Sequence, residues 1–443
     1  MSQVRSLRRR MELGLIVLAV VITASAYGLA GLGTTASLPA DIVGFLVLVL
    51  ALLIAAHLAV RKFAPNADGL LLPMAGLLNG IGYVFVVRLD PDLAAPQTTW
   101  MALGIVAFMA TLLVVQRPRD LERYRYTFLF IGIGLLLVPF VPGIGFENLG
   151  ARIWARVGPI TFQPGEFAKI ALIIFFAGYL VENRELLAVS TRRLGPLMLP
   201  DPKHLGPLLL AWGGAIGIMV FQKELGSSLL LFTVFLVMVW VATERWSYLV
   251  IGLGMFGLGA AFAYSTFSHV ASRVNAWLDP WNPEYLNARG GSYQVVQASY
   301  ALAEGGLTGT GIGLGSPESI PVVETDMIFA AIGEELGLVG ATAILIAFLL
   351  LVGSGLRVAV TAEQPFEKLL ATGIANTFAL QAFIIIGGVI RVLPLTGIAL
   401  PFVAYGGSSL LANYVALGLL IRVSDDVTTR QLRRLDDEAR VAA

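Results

Sequence analysis

Apolar residues run along this chain in long blocks, without the two-residue alternation of a half-buried strand. The blocks fall near 13–31, 42–60, 70–87, 99–115, 127–142, 167–182, 205–221, 227–242, 247–266, 327–352, 367–388 and 396–421. About 20 mostly apolar residues cross a bilayer as a helix. Only helices or closed barrels satisfy every backbone polar group in hydrocarbon, and unalternating runs suit helices. The pattern predicts an all-α polytopic membrane protein of about twelve spans, the fifth to eighth being short or interrupted by Pro and Gly. One long polar stretch breaks it. Ser268 to Asp326 carries Arg273, Asp279, Glu284, Arg289, Glu318, Glu324 and Asp326. Within it, Tyr293–Glu304 reads as a short amphipathic helix lying on the membrane surface.

Composition sharpens this picture. Of 443 residues, 57% are hydrophobic and 13% charged, against roughly 25% charged in a soluble domain. An ordinary water-soluble fold is excluded. A net charge of +1 gives no general argument for nucleic-acid binding, and the absence of cysteine excludes disulfides and thiolate metal sites. His57, His204 and His269 are far apart, so no histidine-rich metal centre is expected. The basic start, Arg5 to Arg10, precedes an apolar run too long for a signal-peptide core and without a clear cleavage site; it predicts a retained first span.

Lys and Arg concentrate in cytoplasmic loops. With the N-terminus inside, 22 basic residues fall on the inner side and eight on the outer: Arg88, Arg152, Arg156, Lys169, Lys223, Arg273, Arg289 and Arg391. Both termini are therefore expected in the cytoplasm and the polar stretch outside. Any one outer cation is most simply a snorkelling or anchoring residue. Arg152, Arg156, Lys169 and Arg391, however, sit beside Pro/Gly-rich turns, where a buried cation wants an anion. A diphosphate suits guanidinium forks.

Polar signatures recur at the helix mouths. Gly150-Ala-Arg152-Ile-Trp154 is followed by Gln163-Pro164-Gly-Glu166-Phe-Ala-Lys169, whose Glu and Lys share a helix face at i, i+3. A tight hairpin holds Gln222-Lys223-Glu224-Leu-Gly226-Ser-Ser228. The polar stretch contains Asp279-Pro280, Glu284, Gly291-Ser-Tyr293-Gln294, a Gly-rich run from Gly305 to Gly315, and Glu324-Thr325-Asp326 leading to Glu334-Glu335-Leu-Gly337. No strand–turn–helix unit surrounds the Gly-rich run, so it is not a dinucleotide loop. Pro401 and Gly406-Gly407 break the last span, as happens where a helix lines a cavity or is packed by protein.

Together these residues resemble the SEDS family (shape, elongation, division and sporulation), over about Gly150 to Arg422. Gln163-Pro164-x-Glu166-x-x-Lys169 is similar to its QPSE-type motif, Glu324-Thr325-Asp326 with Glu334-Glu335-Leu-Gly to its HTDFIF…EELG run, and Pro394-Leu-Thr-Gly…Tyr405-Gly-Gly-Ser-Ser409 to its closing signature. The branch that sets rod shape in actinobacteria looks nearest. The family commonly has ten spans, so the resemblance divides the chain into an extra N-terminal hairpin (1–66), a catalytic core (67–423, with an outer loop over about 267–326) and a cytoplasmic tail (424–443) that either extends the last helix or is disordered. Four positions depart from the family. Gly165 stands where it has Ser, and Glu224 where it has Asp. Ile385 replaces an Asn, and a second Asp-Pro is replaced near Pro283-Glu284, with added residues Leu286–Arg289.

The resemblance implies a peptidoglycan glycosyltransferase that polymerises lipid II at the outer membrane face, for cell elongation. It also implies a class B penicillin-binding protein as its transpeptidase partner. The sugar of lipid II is α-linked to a polyprenyl diphosphate and the product bond is β, so one displacement with inversion fits. One carboxylate takes the proton of the attacking 4-hydroxyl and cations absorb the charge of the diphosphate; the second acid of an inverting glycosidase is not needed for so good a leaving group. Asp279 is the expected base, with Glu284 the alternative. Arg152, Lys169, Arg273 and Arg391 are the expected diphosphate or sugar ligands, Glu166, Glu224 and Asp326 the positioners, and Ser408 joins the substrate-binding set. No cofactor is fixed, although a divalent cation (Mg²⁺ or Mn²⁺) bridging a loop carboxylate to the diphosphate is compatible with this chemistry. Two other classes compete: a flippase or transporter of the lipid-linked precursor, which would show internal repeats and mid-membrane charge, and a non-catalytic scaffold of a cell-wall complex.

Overall fold

The computed structural model describes residues 2–148, 150–188, 192–194, 197–199, 202–286 and 291–442. In chain order the elements are α1 (Ser2–Thr35), α2 (Ile42–Phe63), α3 (Leu71–Leu89), α4 (Ala94–Val114), α5 (Arg125–Leu137), β1 (Gly145–Asn148), β2 (Ala151–Val157), β3 (Ile160–Phe162), α6 (Pro164–Glu182), α7 (Arg184–Ala188), β4 (Arg192–Leu194), β5 (Leu197–Leu199), α8 (Pro202–Phe221), α9 (Leu225–Thr243), α10 (Trp246–Thr266), α11 (Ser268–Leu278), α12 (Pro283–Leu286), α13 (Tyr293–Gly305), α14 (Ile328–Thr361), α15 (Pro365–Val389) and α16 (Gly407–Ala442). Among the described residues ten helices are long and apolar enough to cross a membrane. Two shorter apolar helices, Arg125–Phe140 and Leu209–Phe221, fall at the fifth and seventh expected spans. The protein is a multi-pass membrane protein. α3, α6 and α15 are enclosed on nearly all sides, whereas α10 turns almost its whole surface outward, and its exposed residues, such as Leu253, Leu258 and Phe262, are apolar as lipid contact requires.

Two breaks shape the end of the bundle that carries α11 to α13. α14 breaks at Gly337, whose φ of 66° and ψ of −168° favour a residue without Cβ. The break frees the Glu334 and Glu335 carbonyls, which accept from Thr310 N (2.9 Å) and Gly311 N (3.0 Å). It also frees the amides of Leu338 and Val339, which donate to the carbonyls of Gly306 (2.9 Å) and Leu307 (3.2 Å). The Gly-rich run is thus a plug threaded into a broken helix. Arg88 locks it, donating through Nε to Glu335 Oε1 (3.0 Å) and through Nη2 to Gly315 O (2.9 Å).

The second break corrects the expected last span. The helix begins at Gly407, not near residue 396; from Ile390 to Gly406 the chain is non-helical, with φ positive at Arg391 and Phe402. Leu400, Phe402 and Val403 are buried, and nearby backbone groups find protein partners: Phe402 O accepts from Asn79 Nδ2 (3.1 Å) and Tyr405 N donates to Glu324 O (2.8 Å). This is how irregular backbone is accommodated inside a membrane bundle. At its other end α16 runs on to Ala442, so residues 424–442 extend the last helix. Arg430 pins it there, donating to both oxygens of Glu367 on α15 (2.7 and 2.5 Å) and to Asp426 (2.6 Å).

Candidate active site

Arg273, Ala276 and Trp277 lie at i, i+3 and i+4 on α11, so one helix face presents all three. That face walls a cavity of about 750 Å³. The other walls are Tyr293 and Gln294 of α13, Pro321 and Asp326 before α14, Leu393, Leu395 and Gly397 after α15, and Glu147 of β1 with Gly150 of the β1–β2 turn in the antiparallel β1–β2–β3 sheet. Arg273 donates through Nη1 to Thr396 O (2.9 Å). Asp326 Oδ1 accepts from Thr325 Oγ1 (3.1 Å) and Gln294 Nε2 (3.4 Å), and Gln294 also donates to Pro321 O (2.8 Å). Burial pushes the Asp326 carboxyl above its ordinary range, opposed by the Thr325 hydrogen bond and the Arg273 charge. Burial likewise lowers Arg273, and Asp326 opposes it. The cavity thus holds a cation and a carboxyl of opposed tendencies, the arrangement expected where a polar, charged ligand is handled.

Asp279 caps the C-terminus of α11, its amide donating to Asn275 O (2.9 Å). Its Oδ2 accepts from Asn282 Nδ2 (3.3 Å), and Pro280 O accepts from the buried Ser292 hydroxyl (2.5 Å). Both Asp279 and Glu284 are exposed, and neither is in the cavity wall. Six residues of helix, about 9 Å, separate Arg273 from Asp279. The turn that begins at Asp279 is held by Arg391. Trp277 Nε1 donates to Arg391 O (2.9 Å), and the Arg391 guanidinium lies 4.6 Å from the Trp281 ring centre, a cation–π contact.

The other expected site residues lie elsewhere. Glu166, Lys169, Glu224 and Ser408 form a second, buried cluster. Lys169 Nζ donates to Glu166 Oε1 (2.9 Å), and Gln163 joins the rest through Nε2 to Glu224 Oε1 (2.9 Å) and its amide to Ser408 Oγ (2.9 Å). Ser227 also donates to Glu224. Burial lifts Glu224 to about 7. The segment Thr396–Ile398 stands between the two clusters: Arg273 bonds its carbonyl from one side, and Gly226 packs against it from the other. Arg152 lies on β2, its amide donating to Gln222 O in the α8–α9 turn (3.1 Å) and its side chain donating to Pro139 O (3.0 Å) and lying over Phe140. Arg289, with most of the added stretch Leu286–Arg289, lies outside the described residues. Gln294, Trp277 and Trp281 carry contacts that sequence reasoning did not assign. The available signal was the pair of tryptophans two residues to either side of Asp279. Among the described residues no group of three or more His, Asp or Glu is arranged to hold a metal.

The family model described as a cell cycle protein, FtsW/RodA/SpoVE, matches residues 81–429. The chain belongs to that family. Similar proteins include the peptidoglycan glycosyltransferase RodA of Mycobacterium tuberculosis, 44% identical over 94% of this chain and 90% of its own. A probable peptidoglycan glycosyltransferase FtsW of a Geobacter species is 37% identical over 81% of this chain and 96% of its own. Among solved structures, a chain of a peptidoglycan synthase complex that coordinates polymerization and crosslinking superposes with a TM-score of 0.67 at 25% identity, covering 82% of this chain and 98% of its own. The rod shape determining protein RodA of Thermus thermophilus gives 0.57 at 25% identity, covering 81% and 97%. Family, fold and membrane character agree with the resemblance read from the motifs.

Proposed function

We propose that this protein is an inverting peptidoglycan glycosyltransferase that polymerises lipid II at the outer face of the cytoplasmic membrane. The observation that carries the reading is the Arg273–Asp326 cavity, set beside the exposed Asp279 turn. Among the described residues Arg273 is the one cation in its wall, and in this reading it holds a diphosphate oxygen. Asp279 takes the proton of the attacking hydroxyl, with Glu284 the alternative base five residues on. Trp277, Trp281 and Arg391 position the turn. The buried cluster around Lys169 and Glu224 supports the Thr396–Ile398 wall and does not touch substrate in this reading.

The proposed topology places both termini in the cytoplasm. The basic-residue asymmetry supports it, as does Arg422, near the middle of α16, which donates to the carbonyls of Val115 and Phe63 and so brings the C-terminal ends of α2 and α4 to one level. The domain reading keeps an N-terminal hairpin (1–66) ahead of the core, the tail being part of α16. A class B penicillin-binding protein is the proposed partner, supported by the synthase complex whose chain superposes here. Purified protein in liposomes should convert lipid II to glycan strands. Asp279→Ala or Glu284→Ala should fold and lose that activity. Full activity in both single variants and in the double variant refutes the base assignment, and movement of lipid II between leaflets without strand formation would favour a transporter.

A further inference from the structure

α13 serves two cavities. Tyr293 and Gln294 at its start wall the Arg273 cavity. Gln297, Tyr300 and Glu304 further along wall a second one of about 550 Å³, completed by Ser316, Ser319 and Glu334. From Gln294 to Glu304 the helix rises about 15 Å, so the two lie end to end along it. The segment from Ser316 to Asp326 flanks both in the opposite order, Ser316 and Ser319 walling the second cavity and Pro321 and Asp326 the first. The Asp279 turn lies at their junction. Trp277 on one side of it walls the first cavity, and Trp281 on the other donates through Nε1 to Tyr300 OH of the second (3.3 Å).

Their chemistry differs. The first holds Arg273. Among the described residues the second is lined by carboxyl, amide and hydroxyl groups and two alanines, with no Lys or Arg in its wall, a poor match for a diphosphate. Those groups do accept hydrogen bonds from alcohols and amides. Beside them Tyr300 and Trp281 are 51% and 47% exposed, an apolar aromatic surface left uncovered next to polar acceptors. Neutral hydroxyl-rich rings with apolar faces satisfy both features. Glu334 is held in place, its Oε1 accepting from Ser316 N (2.6 Å), and the Trp281 ring is backed by Arg391.

We propose that this second cavity is a saccharide subsite, taking sugar units of the glycan strand remote from the diphosphate while the Arg273 cavity takes the diphosphate-linked end. The inference rests on the polymerase reading above for its biological substrate, but the binding chemistry is testable by itself. The probe is an uncharged N-acetylglucosamine tetramer, titrated onto the full-length protein in nanodiscs and followed by saturation-transfer NMR. Tyr300→Ala and Glu304→Gln should each weaken binding about tenfold or more, and Tyr300→Phe should stay within about twofold. Arg273→Ala should bind the tetramer as the wild type does. On lipid II, Tyr300→Ala should make shorter strands per initiation event. The subsite is overturned if the wild type does not bind the tetramer, if Tyr300→Ala and Glu304→Gln bind it normally, or if Arg273→Ala alone abolishes binding. Tyr300-dependent tetramer binding by a wild type that makes no strands would sink the polymerase reading and leave the subsite standing. Normal polymerisation with no effect of either variant would do the reverse.

Discussion

Gly165 faces the carboxylate of Glu224: a Cβ placed on residue 165 would lie 3.4 Å from Glu224 Oε2, a buried oxygen with no hydrogen-bond partner among the described residues. Two of the four positions at which the chain departs from its family, Gly for Ser and Glu for Asp, are therefore neighbours across α6 and the α8–α9 turn. The longer acid reaches toward the space where the family carries a hydroxyl. Gly165→Ser should return a donor to that oxygen. A hydrogen bond to the ionised form favours it, so the Glu224 midpoint should fall from about 7. Infrared titration of the carboxylate band, with Glu224→Gln as the blank, measures it. An unchanged midpoint would show that the two residues are not coupled.

The same carboxyl predicts a pH dependence of stability. Its folded value of about 7 lies above the ordinary 4.5 because burial penalises the charged form. Between these values the folded chain binds more protons than the unfolded one, so stability falls as pH rises from about 4.5 to about 7 and levels off above. The full effect of this one group is roughly 3 kcal/mol. Thermal unfolding of detergent-solubilised protein across that range should show the decline, and Glu224→Gln should flatten it. An equal slope in both proteins would mean that other groups carry it.

Most of the helices were legible because spanning segments advertise themselves locally, by length and hydropathy. The two breaks were not. Residues 327–352 form an apolar run in which Gly337 looks like any helix glycine, and the groups that complete its backbone, at Gly306 to Gly311, lie some thirty residues upstream. Leu400 to Ala404 is apolar enough to read as helix, and its non-helical path depends on distant Asn79 and Glu324. The site was half legible for the same reason. Arg273 and Asp326 stood out as charges in a polar stretch. Their separation from Glu166, Lys169 and Glu224 is set by the Thr396–Ile398 wall, which no local pattern reveals.

Arg391 tests the difference between binding and positioning. Its guanidinium lies against Trp281 and its carbonyl holds Trp277, so loss of the side chain should loosen the Asp279 turn without emptying the proposed diphosphate site. Arg391→Ala should lower kcat for strand formation by up to about a hundredfold, the scale of a misplaced catalytic group, with KM changed much less. Trp281→Ala should do nearly the same, and the double variant should be no worse than either alone, because both remove one contact. A rise in KM that Arg391→Lys restores would instead make Arg391 a direct ligand of the diphosphate.

Arg88 makes the sharpest structural demand. Its side chain is 6% exposed and pairs at 2.9 Å with Glu335, which is 0% exposed. Arg88→Ala would leave that carboxylate buried without its cation and release the Gly315 carbonyl as well. Breaking such a pair costs about 3–5 kcal/mol, and the damage should spread to the Gly-rich plug, whose amides at Thr310 and Gly311 hold the carbonyls of Glu334 and Glu335. Hydrogen exchange should therefore rise across residues 305–316 in Arg88→Ala, together with a lower unfolding temperature. Removing the stranded charge as well, in Arg88→Met with Glu335→Leu, should recover much of the lost stability but not the exchange protection, since the Gly315 carbonyl still lacks its donor. If Arg88→Ala is as stable as the wild type, the pair does not hold the plug in α14, and the broken helix must be secured by its backbone hydrogen bonds alone.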